Sequence, residues 1–324
     1  MRLAPAAALA ACAPQRDATS AGLLVDLDRE PDAVFDVWPG GPPGGEGVSI
    51  TEHVVARDNA FNLVDRAAHD VTRPTLSLFK PATPDGSAML LIPGGGYGWV
   101  VIDKEGFEGA RYFSRRGVAV YVLKYRLPHH GWRAGPDAPL QDAQRAMRVI
   151  RARAASDAID PARLVVAGFS AGGHLAGALT MRFDAGVYDR VDKADDLSAR
   201  PDATALLYPV ITMREPYRHR NSRVHLIGEA PSEALVEKYS VESMARGDAP
   251  PLFFLHASDD ASVPVENSIL AYRAAREAGS AASLHIFERG GHGFGMRGLD
   301  DNPLSAWPEL LLAWGASHKM FGET

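Results

Sequence analysis

The stretch Leu164–His174 reads LVVAGFSAGGH, an apolar run that ends abruptly in the pattern Gly-x-Ser-x-Gly at Gly168–Gly172. Such a run predicts a buried strand, a one-residue corner and then a helix. A tight corner presses its neighbours together and leaves no space for a Cβ, which explains the two flanking glycines. This geometry would expose the hydroxyl of Ser170 at the end of a sheet. Ser170 is therefore the candidate nucleophile, but a serine between glycines is more often an ordinary turn, so the pattern needs partners elsewhere in the chain.

Two later strands end next to residues that would complete a catalytic site. A short apolar strand at Pro251–His256 precedes the adjacent acids Asp259 and Asp260. A second strand at Ala282–Phe287 leads into a glycine-rich loop that contains His292. The chain order serine, acid, histidine is the order found in α/β-hydrolases. Because the carboxyl ends of parallel strands meet at one edge of a sheet, these side chains are expected to lie together.

The acid is assigned to Asp260 rather than to its neighbour Asp259. The sequence Asp260-x-x-Val263-Pro264 resembles the acid loop of many α/β-hydrolases, whereas an Asx-type turn at the strand end would account for Asp259. The base is assigned to His292, because the surrounding glycines allow its loop to fold closely over the nucleophile. Five further histidines are expected to pack, cap or lie in polar loops instead: His129, His130, His174, His256 and His285.

Upstream, the strand at about residues 88–93 ends in Pro93 and runs into three consecutive glycines, Gly94–Gly96. Because glycine has no side chain, the backbone N–H groups of this loop can point together at one ligand atom. The N–H groups of Gly95, Gly96 and Ala171 are predicted to form an oxyanion hole. The lipase and esterase version of this loop begins with His, where this chain has Pro93. A phosphate-binding loop is the alternative, but no Gly-Lys-Ser/Thr follows and no dinucleotide-binding Gly-x-Gly-x-x-Gly pattern is present.

The aromatic residues Tyr97 and Trp99 follow this loop directly. If their rings face the nucleophile, they would narrow the acyl side of the pocket and give a flat surface on which a sugar can stack. The alternative is that both rings pack beneath the loop. Tyr97 and Trp99 are therefore candidate substrate-binding residues.

Taken together, these segments resemble a known family. The chain resembles the bacterial acetyl-xylan-esterase-like branch of the α/β-hydrolases, which is related to hormone-sensitive-lipase and prolyl-oligopeptidase-like esterases. The resemblance covers roughly residues 36 to 320. It is carried by Pro93–Tyr97, Gly168–His174, Tyr208–Ile211, His219–Gly228, Asp260–Pro264 and Gly290–Gly295.

The resemblance implies an α/β-hydrolase fold, with a mostly parallel central sheet covered by helices on both faces. It also implies a cofactor-free serine esterase whose substrate is a short acyl ester on a carbohydrate, with acetyl on xylan or xylo-oligosaccharides as the expected substrate. A feruloyl esterase or a general short-chain carboxylesterase is the alternative. A dienelactone hydrolase would need a cysteine at the corner. A binding lipoprotein that kept the hydrolase fold would be expected to lack a member of the triad.

Composition limits the classes of partner. The 324 residues are 46% hydrophobic and 23% charged, as in an ordinary soluble globular protein with a sizeable core. A formal net charge of −6 argues against nucleic acid as a partner. The only cysteine, Cys12, cannot form a cysteine metal cluster, so no metal site is expected.

Cys12 belongs to a separate feature at the amino terminus. Leu9–Cys12 reads LAAC and follows a short Ala-rich segment, which resembles a bacterial lipobox. We therefore expect residues 1–35 to be a signal or lipoprotein leader with a linker, and residues 36–324 to be a single catalytic domain. The predicted protein is exported to the periplasm or anchored through lipid on Cys12. A disordered leader on a cytoplasmic enzyme is the alternative.

Two polar insertions are expected to shape the substrate pocket. The first runs from about Arg182 to Arg200 and is rich in aspartate, and the second runs from about Glu215 to Met244. Between residues 138 and 155, apolar residues at helical spacing predict a helix that covers the sheet. The arginines of this helix are expected to form its solvated side: Arg145, Arg148, Arg151 and Arg153.

Overall fold

The computed structural model describes residues 22–322, which form eleven strands and seven α-helices. The strands are β1 Ala33–Asp36, β2 His53–Ala56, β3 Arg66–His69, β4 Thr75–Phe79, β5 Ala88–Ile92, β6 Val100–Val101, β7 Ala119–Lys124, β8 Leu164–Phe169, β9 Ala203–Leu207, β10 Leu252–Ala257 and β11 Ala282–Phe287. The helices are α1 Glu108–Ser114, α2 Ala138–Ala152, α3 Ala171–Met181, α4 Arg220–Ile227, α5 Glu233–Tyr239, α6 Glu266–Glu277 and α7 Trp307–Ser317.

Eight strands form the central sheet, in the order β1-β4-β7-β5-β8-β9-β10-β11. The six strands from β7 to β11 in this order are parallel, and β4 pairs antiparallel with both β7 and β1. Strands β2, β3 and β6 form a separate antiparallel sheet. This is the predicted mostly parallel α/β-hydrolase sheet. Its parallel strands bring the carboxyl ends of β5, β8, β10 and β11 to one edge.

Helices cover both faces of this sheet, as expected. In β5, Leu90 and Ile92 pack in the core beneath α2, α3 and α6, whereas Met89 and Leu91 pack with α1 and α7 on the opposite face. Successive strand residues point to opposite faces. A strand buried on both faces therefore reads as an unbroken apolar run, and this explains the sequence of β5 and β8.

The predicted domain start at residue 36 is too late. Strand β1 begins at Ala33 and pairs with β4 in the central sheet. Upstream of it, Arg29 donates to the Ser114 hydroxyl at 3.0 Å and to the Lys80 carbonyl at 2.7 Å. The domain therefore includes residues predicted to belong to the leader and linker. The predicted lipobox and Cys12 lie outside the described residues.

The predicted solvated side of α2 is wrong for Arg145. Helix α2 forms at Ala138–Ala152, but Arg145 is buried and binds Asp192 and Asp195 of the first polar insertion. Amphipathic spacing cannot show that a distant acidic loop will cover the polar side of a helix. The insertion at residues 182–200 therefore packs on α2.

Within residues 22–322, no helix combines the length and apolarity needed to cross a bilayer. The same residues contain no group of three or more His, Cys, Asp or Glu side chains arranged to hold a metal ion.

Candidate active site

Ser170 occupies the predicted corner between β8 and α3. Its backbone lies at φ 53° and ψ −118°, a region that side-chain-bearing residues rarely adopt. A Cβ on Gly168 would lie 2.3 Å from the Gly172 carbonyl oxygen, and a Cβ on Gly172 would lie 2.1 Å from the Ile92 oxygen. Both glycines are therefore required by close packing. A hydrogen bond joins the corner to β9, since the Ser170 N–H donates to the Leu207 carbonyl at 3.1 Å.

The structure brings Ser170, His292 and Asp260 into one hydrogen-bonded chain. His292 Nε2 lies 2.9 Å from Ser170 Oγ, and His292 Nδ1 lies 2.7 Å from Asp260 Oδ2. The tautomer with hydrogen on Nδ1 fits this arrangement, since an ionised carboxylate can only accept. Nε2 is then free to accept the serine proton.

The carboxylate of Asp260 is held in its ionised form. Its Oδ1 accepts from the N–H groups of Ser262 at 2.9 Å and Val263 at 2.8 Å. Burial by itself would raise the pKa of Asp260, but hydrogen bonds from His256 and His292 outweigh burial and hold the pKa well below its usual range. His256, expected to be structural, is fully buried and lies 3.3 Å from the Asp260 carboxylate.

Asp259 has a different partner from its neighbour. Its Oδ1 accepts from the N–H groups of Gly290 at 2.9 Å and Gly291 at 2.7 Å, in the loop that precedes His292. The predicted role as a local Asx turn is therefore incomplete. Asp259 thus connects the histidine loop to the end of β10 through backbone hydrogen bonds, whereas Asp260 contacts the imidazole ring itself.

The glycine loop after β5 lies against the corner. A Cβ on Gly94 would stand 2.9 Å from Ser170 Cβ, and Gly95 and Gly96 adopt φ +126° and +62°. In the described part of the chain, the N–H groups of Gly95 and Gly96 donate to no protein acceptor. Ala171 is the first residue of α3, where an N–H group has no acceptor within the helix. These three N–H groups are thus available to a ligand.

Tyr97 does not take the predicted place in the substrate pocket. It is buried, with only 1% of its surface exposed, and its hydroxyl lies 2.8 Å from His174 Nδ1. His174 Nε2 in turn lies 2.7 Å from the Tyr239 carbonyl oxygen. That carbonyl can only accept, so Nε2 carries hydrogen and Nδ1 accepts from Tyr97. The polar hydroxyl therefore finds a buried partner, and the ring packs beneath the loop.

Trp99 lines a cavity of about 260 Å³ together with Ser170 and His292. Its ring is half-exposed and lies 5.7 Å from that of His69, centroid to centroid. The remaining lining residues are Arg57, Gly95, Gly96, Val101, Lys104, Glu105, His219, Asn221, His225, Ser262 and Gly293. A larger cavity of about 720 Å³ lies beside residues 185–191 and contains none of the triad. We regard the smaller cavity as the active site, because it contains the reactive groups.

Only one of the two polar insertions contributes to this cavity. The second insertion supplies His219, Asn221 and His225 to its lining, whereas the first supplies no residue to it. The expectation that both insertions shape the pocket is therefore wrong for residues 182–200. The resemblance included His219–Gly228 but assigned no role to its histidines.

The buried acid Glu105 has no counterpart among the sequence predictions. It lies in a π-helical turn at Asp103–Phe107. Its Oε2 accepts from the Gly94 N–H at 2.8 Å, and its Oε1 accepts from the Tyr208 hydroxyl at 3.0 Å. The Tyr208 oxygen accepts from the Gly295 N–H at 3.2 Å. Glu105 therefore links the glycine loop to the loop of His292. A single acidic residue after a strand does not show in the sequence which loops it will connect.

Comparison with known proteins identifies the family. A family model described as BD-FAE matches residues 76–274. The chain belongs to the BD-FAE family of α/β-hydrolase esterases. This confirms the resemblance to acetyl-xylan-esterase-like hydrolases that the sequence motifs indicated.

Three similar proteins illustrate the membership. Endo-1,4-beta-xylanase B of Butyrivibrio fibrisolvens is 38% identical over 68% of this chain and 34% of that protein. Acetylxylan esterase of Xylanibacter ruminicola is 34% identical over 67% of this chain and 43% of that protein. The chain thus spans less than half the length of these two relatives. The crystal structure of an acetyl ester-xyloside bifunctional hydrolase from Caldicellulosiruptor lactoaceticus is 32% identical, with a TM-score of 0.71, over 90% of this chain and 98% of that one.

Proposed function

We propose that this BD-FAE member hydrolyses short acyl esters, above all acetyl groups on xylan or xylo-oligosaccharides, through an acyl-enzyme on Ser170. The observation that carries the proposal is the hydrogen-bonded chain from Ser170 through His292 to Asp260 at the base of an open cavity. The acetylxylan esterase among its relatives and the acetyl ester-xyloside hydrolase among its structural neighbours support the substrate class.

In the proposed acylation step, Ser170 Oγ attacks the ester carbonyl while His292 Nε2 takes the serine proton. The negative charge that develops on the carbonyl oxygen is held by the N–H groups of Gly95, Gly96 and Ala171. His292 then gives its proton to the departing alcohol, and the acyl group stays on Ser170. Asp260 keeps the imidazole in the required orientation and stabilises its charged form.

In the deacylation step, His292 takes a proton from water, and the resulting nucleophile attacks the acyl carbon. The same three N–H groups hold the second oxyanion. His292 returns the proton to Ser170 Oγ, which releases the free acid. No cofactor enters these steps.

The first test is Ser170→Ala, measured with p-nitrophenyl acetate. Alanine removes the attacking oxygen and adds no bulk, so the fold should persist while kcat falls by several orders of magnitude, as after loss of other triad nucleophiles. Circular dichroism checks the fold. A variant that folds normally and keeps a near-native rate would refute the serine mechanism.

The second test compares products. Purified protein is incubated with acetylated xylan and with feruloylated arabinoxylan, and the released acetate and ferulate are measured. We expect acetate release to dominate. Dominant ferulate release would favour a feruloyl esterase that uses the same triad.

Export, and lipid attachment at Cys12, stay predictions from the sequence. Mass spectrometry of the mature protein from a lipoprotein-processing bacterial host would test both, because processing would remove residues 1–11.

A further inference from the structure

Two histidines of the second insertion flank the glycine loop in the active-site cavity, and their hydrogen bonds determine which ring nitrogens carry hydrogen. His219 caps the start of α4, and His225 lies within α4. Both line the cavity that contains Ser170. Both also adjoin Gly96: His225 Nδ1 lies 2.8 Å from its carbonyl oxygen, and His219 Cε1 would lie 3.9 Å from a Cβ placed there.

His219 presents a hydrogen-bond donor. Its Nδ1 accepts from the Ser222 N–H at 3.3 Å and lies 2.8 Å from the Ser222 hydroxyl. An amide N–H can only donate, so Nδ1 carries a lone pair and the hydrogen of the neutral ring is on Nε2. Burial, followed by the charge of nearby His292, lowers the pKa of His219 to about 4, so the ring is neutral near pH 7. In the described chain, no protein group accepts from this Nε2–H.

His225 presents the opposite group. A carbonyl oxygen can only accept, so its Nδ1 carries hydrogen and donates to Gly96. In the neutral ring, Nε2 is then an acceptor. The ring is held in place on two sides, since it stacks on His129 at 4.9 Å and a Cβ on Gly98 would approach its Cε1 to 2.9 Å. The position of the Nε2 acceptor is therefore fixed by the fold.

We propose that His219 and His225 recognise a free hydroxyl beside the acylated oxygen, so that the preferred substrates are monoesters of vicinal diols, as in partly acetylated sugars. A hydroxyl accepts one hydrogen bond and donates another, which matches one donor and one acceptor beside the same glycine. A simple alkyl or aryl ester offers no such group, so neither nitrogen gains a hydrogen bond to the substrate. This inference rests on the proposed esterase function and specifies its substrate class.

The test uses two acetyl esters that differ only in this hydroxyl: a methyl β-xyloside monoacetate with a free neighbouring hydroxyl and the analogue in which that hydroxyl is replaced by hydrogen. The readout is the ratio of their kcat/KM values within each protein, so that a general change in activity cancels. A hydrogen bond of ordinary strength changes this ratio by roughly three- to tenfold, and two bonds by more. We expect the wild-type protein to favour the hydroxylated ester by about tenfold or more.

Two substitutions separate hydrogen bonding to substrate from the capping of α4. In His219→Asn, the side-chain oxygen can replace Nδ1 as the cap, but nothing replaces the Nε2–H, so the ratio should fall. In His219→Gln, the amide N–H₂ reaches the place of Nε2, so the ratio should largely persist although the cap is lost.

His225→Asn keeps a donor to Gly96 and removes the acceptor, so it should also reduce the ratio. His285→Asn makes the same change on β11, outside the cavity, and should leave the ratio as in the wild type.

The outcomes are distinct. Wild-type protein that cleaves both esters equally would overturn the inference while leaving the esterase function intact. Equal loss of the ratio in His219→Asn and His219→Gln would overturn it too, because capping would then explain both effects. Failure of the wild-type protein to cleave either ester or p-nitrophenyl acetate would instead refute the proposed function. If His219→Asn does not fold, the wild-type ratio and His225→Asn still decide the matter.

Discussion

The base of the active-site cavity and its rim are built in different ways. The base consists of Ser170, Asp260 and His292, each at or just after the carboxyl end of a strand of the central sheet. The rim includes Trp99, His219 and His225, which come from the loop after β5 and the insertion after β9. At the base, Ser170 and Asp260 are buried and His292 joins them through two hydrogen bonds, whereas the rim side chains are partly exposed and are held by loop contacts. Changes at the base should therefore reduce kcat, and changes at the rim should alter substrate preference.

The adjacent acids in the loop after β10 give the largest predicted contrast. Asp260→Asn should lower kcat for p-nitrophenyl acetate by roughly 10³- to 10⁴-fold, because an amide favours the wrong tautomer of His292. Asp259→Asn should cost no more than about threefold, because its oxygen can still accept from Gly290 and Gly291. Steady-state kinetics of both variants provides the check. Equal losses of kcat would show that the hydrogen bonds of Asp259 to the histidine loop matter as much as the orientation of the His292 ring by Asp260.

Glu105 extends the base beyond the triad. Glu105→Gln supplies only one acceptor for the two donors from Gly94 and Tyr208, so the glycine loop should shift relative to Ser170. We expect kcat for p-nitrophenyl acetate to fall roughly 10- to 100-fold with a smaller change in KM, because misplaced oxyanion donors act mainly in the transition state.

The matched control for Glu105 is a second buried acid in the same π-helical turn. Asp103 pairs with Arg66 and does not line the cavity. Asp103→Asn should lower the melting temperature but leave kcat close to that of the wild type. A parallel fall in kcat in both variants would mean that Glu105 acts only through the stability of the turn.

The smallest predicted contrast is between two substrates at the rim. Trp99→Ala removes a half-exposed ring, so it should raise KM for acetylated xylo-oligosaccharides about three- to tenfold and change KM for p-nitrophenyl acetate less. Kinetics on both substrates separates these effects. An equal rise in KM for the two substrates, or a loss confined to kcat, would show that Trp99 does not contact the sugar.

The acyl side of the wild-type cavity can be examined in the same assay. With about 260 Å³ available in total, rates should fall steeply from p-nitrophenyl acetate to butyrate and longer esters. A flat profile that reaches octanoate would argue for a general lipolytic esterase and against the carbohydrate substrate.

The sequence by itself determined the elements whose signal is local. Apolar runs fixed the strands that are buried on both faces, and the flanking glycines identified the corner at Ser170, because a close backbone approach excludes a Cβ. The parallel order of these strands then implied that Asp260 and His292 would meet the serine. Each inference needs only a short segment and the rule that parallel strands end at one edge.

Only the tertiary structure decided where contacts join distant segments. Tyr97 and Trp99 are two residues apart, yet Tyr97 points into the core to meet His174 and Trp99 faces the cavity. Arg145 is buried because Asp192 and Asp195 reach it from another loop. The roles of Glu105 and His219 depend in the same way on partners that the fold supplies. A side chain's direction follows the partner that satisfies its polar atoms, and a single sequence does not specify that partner.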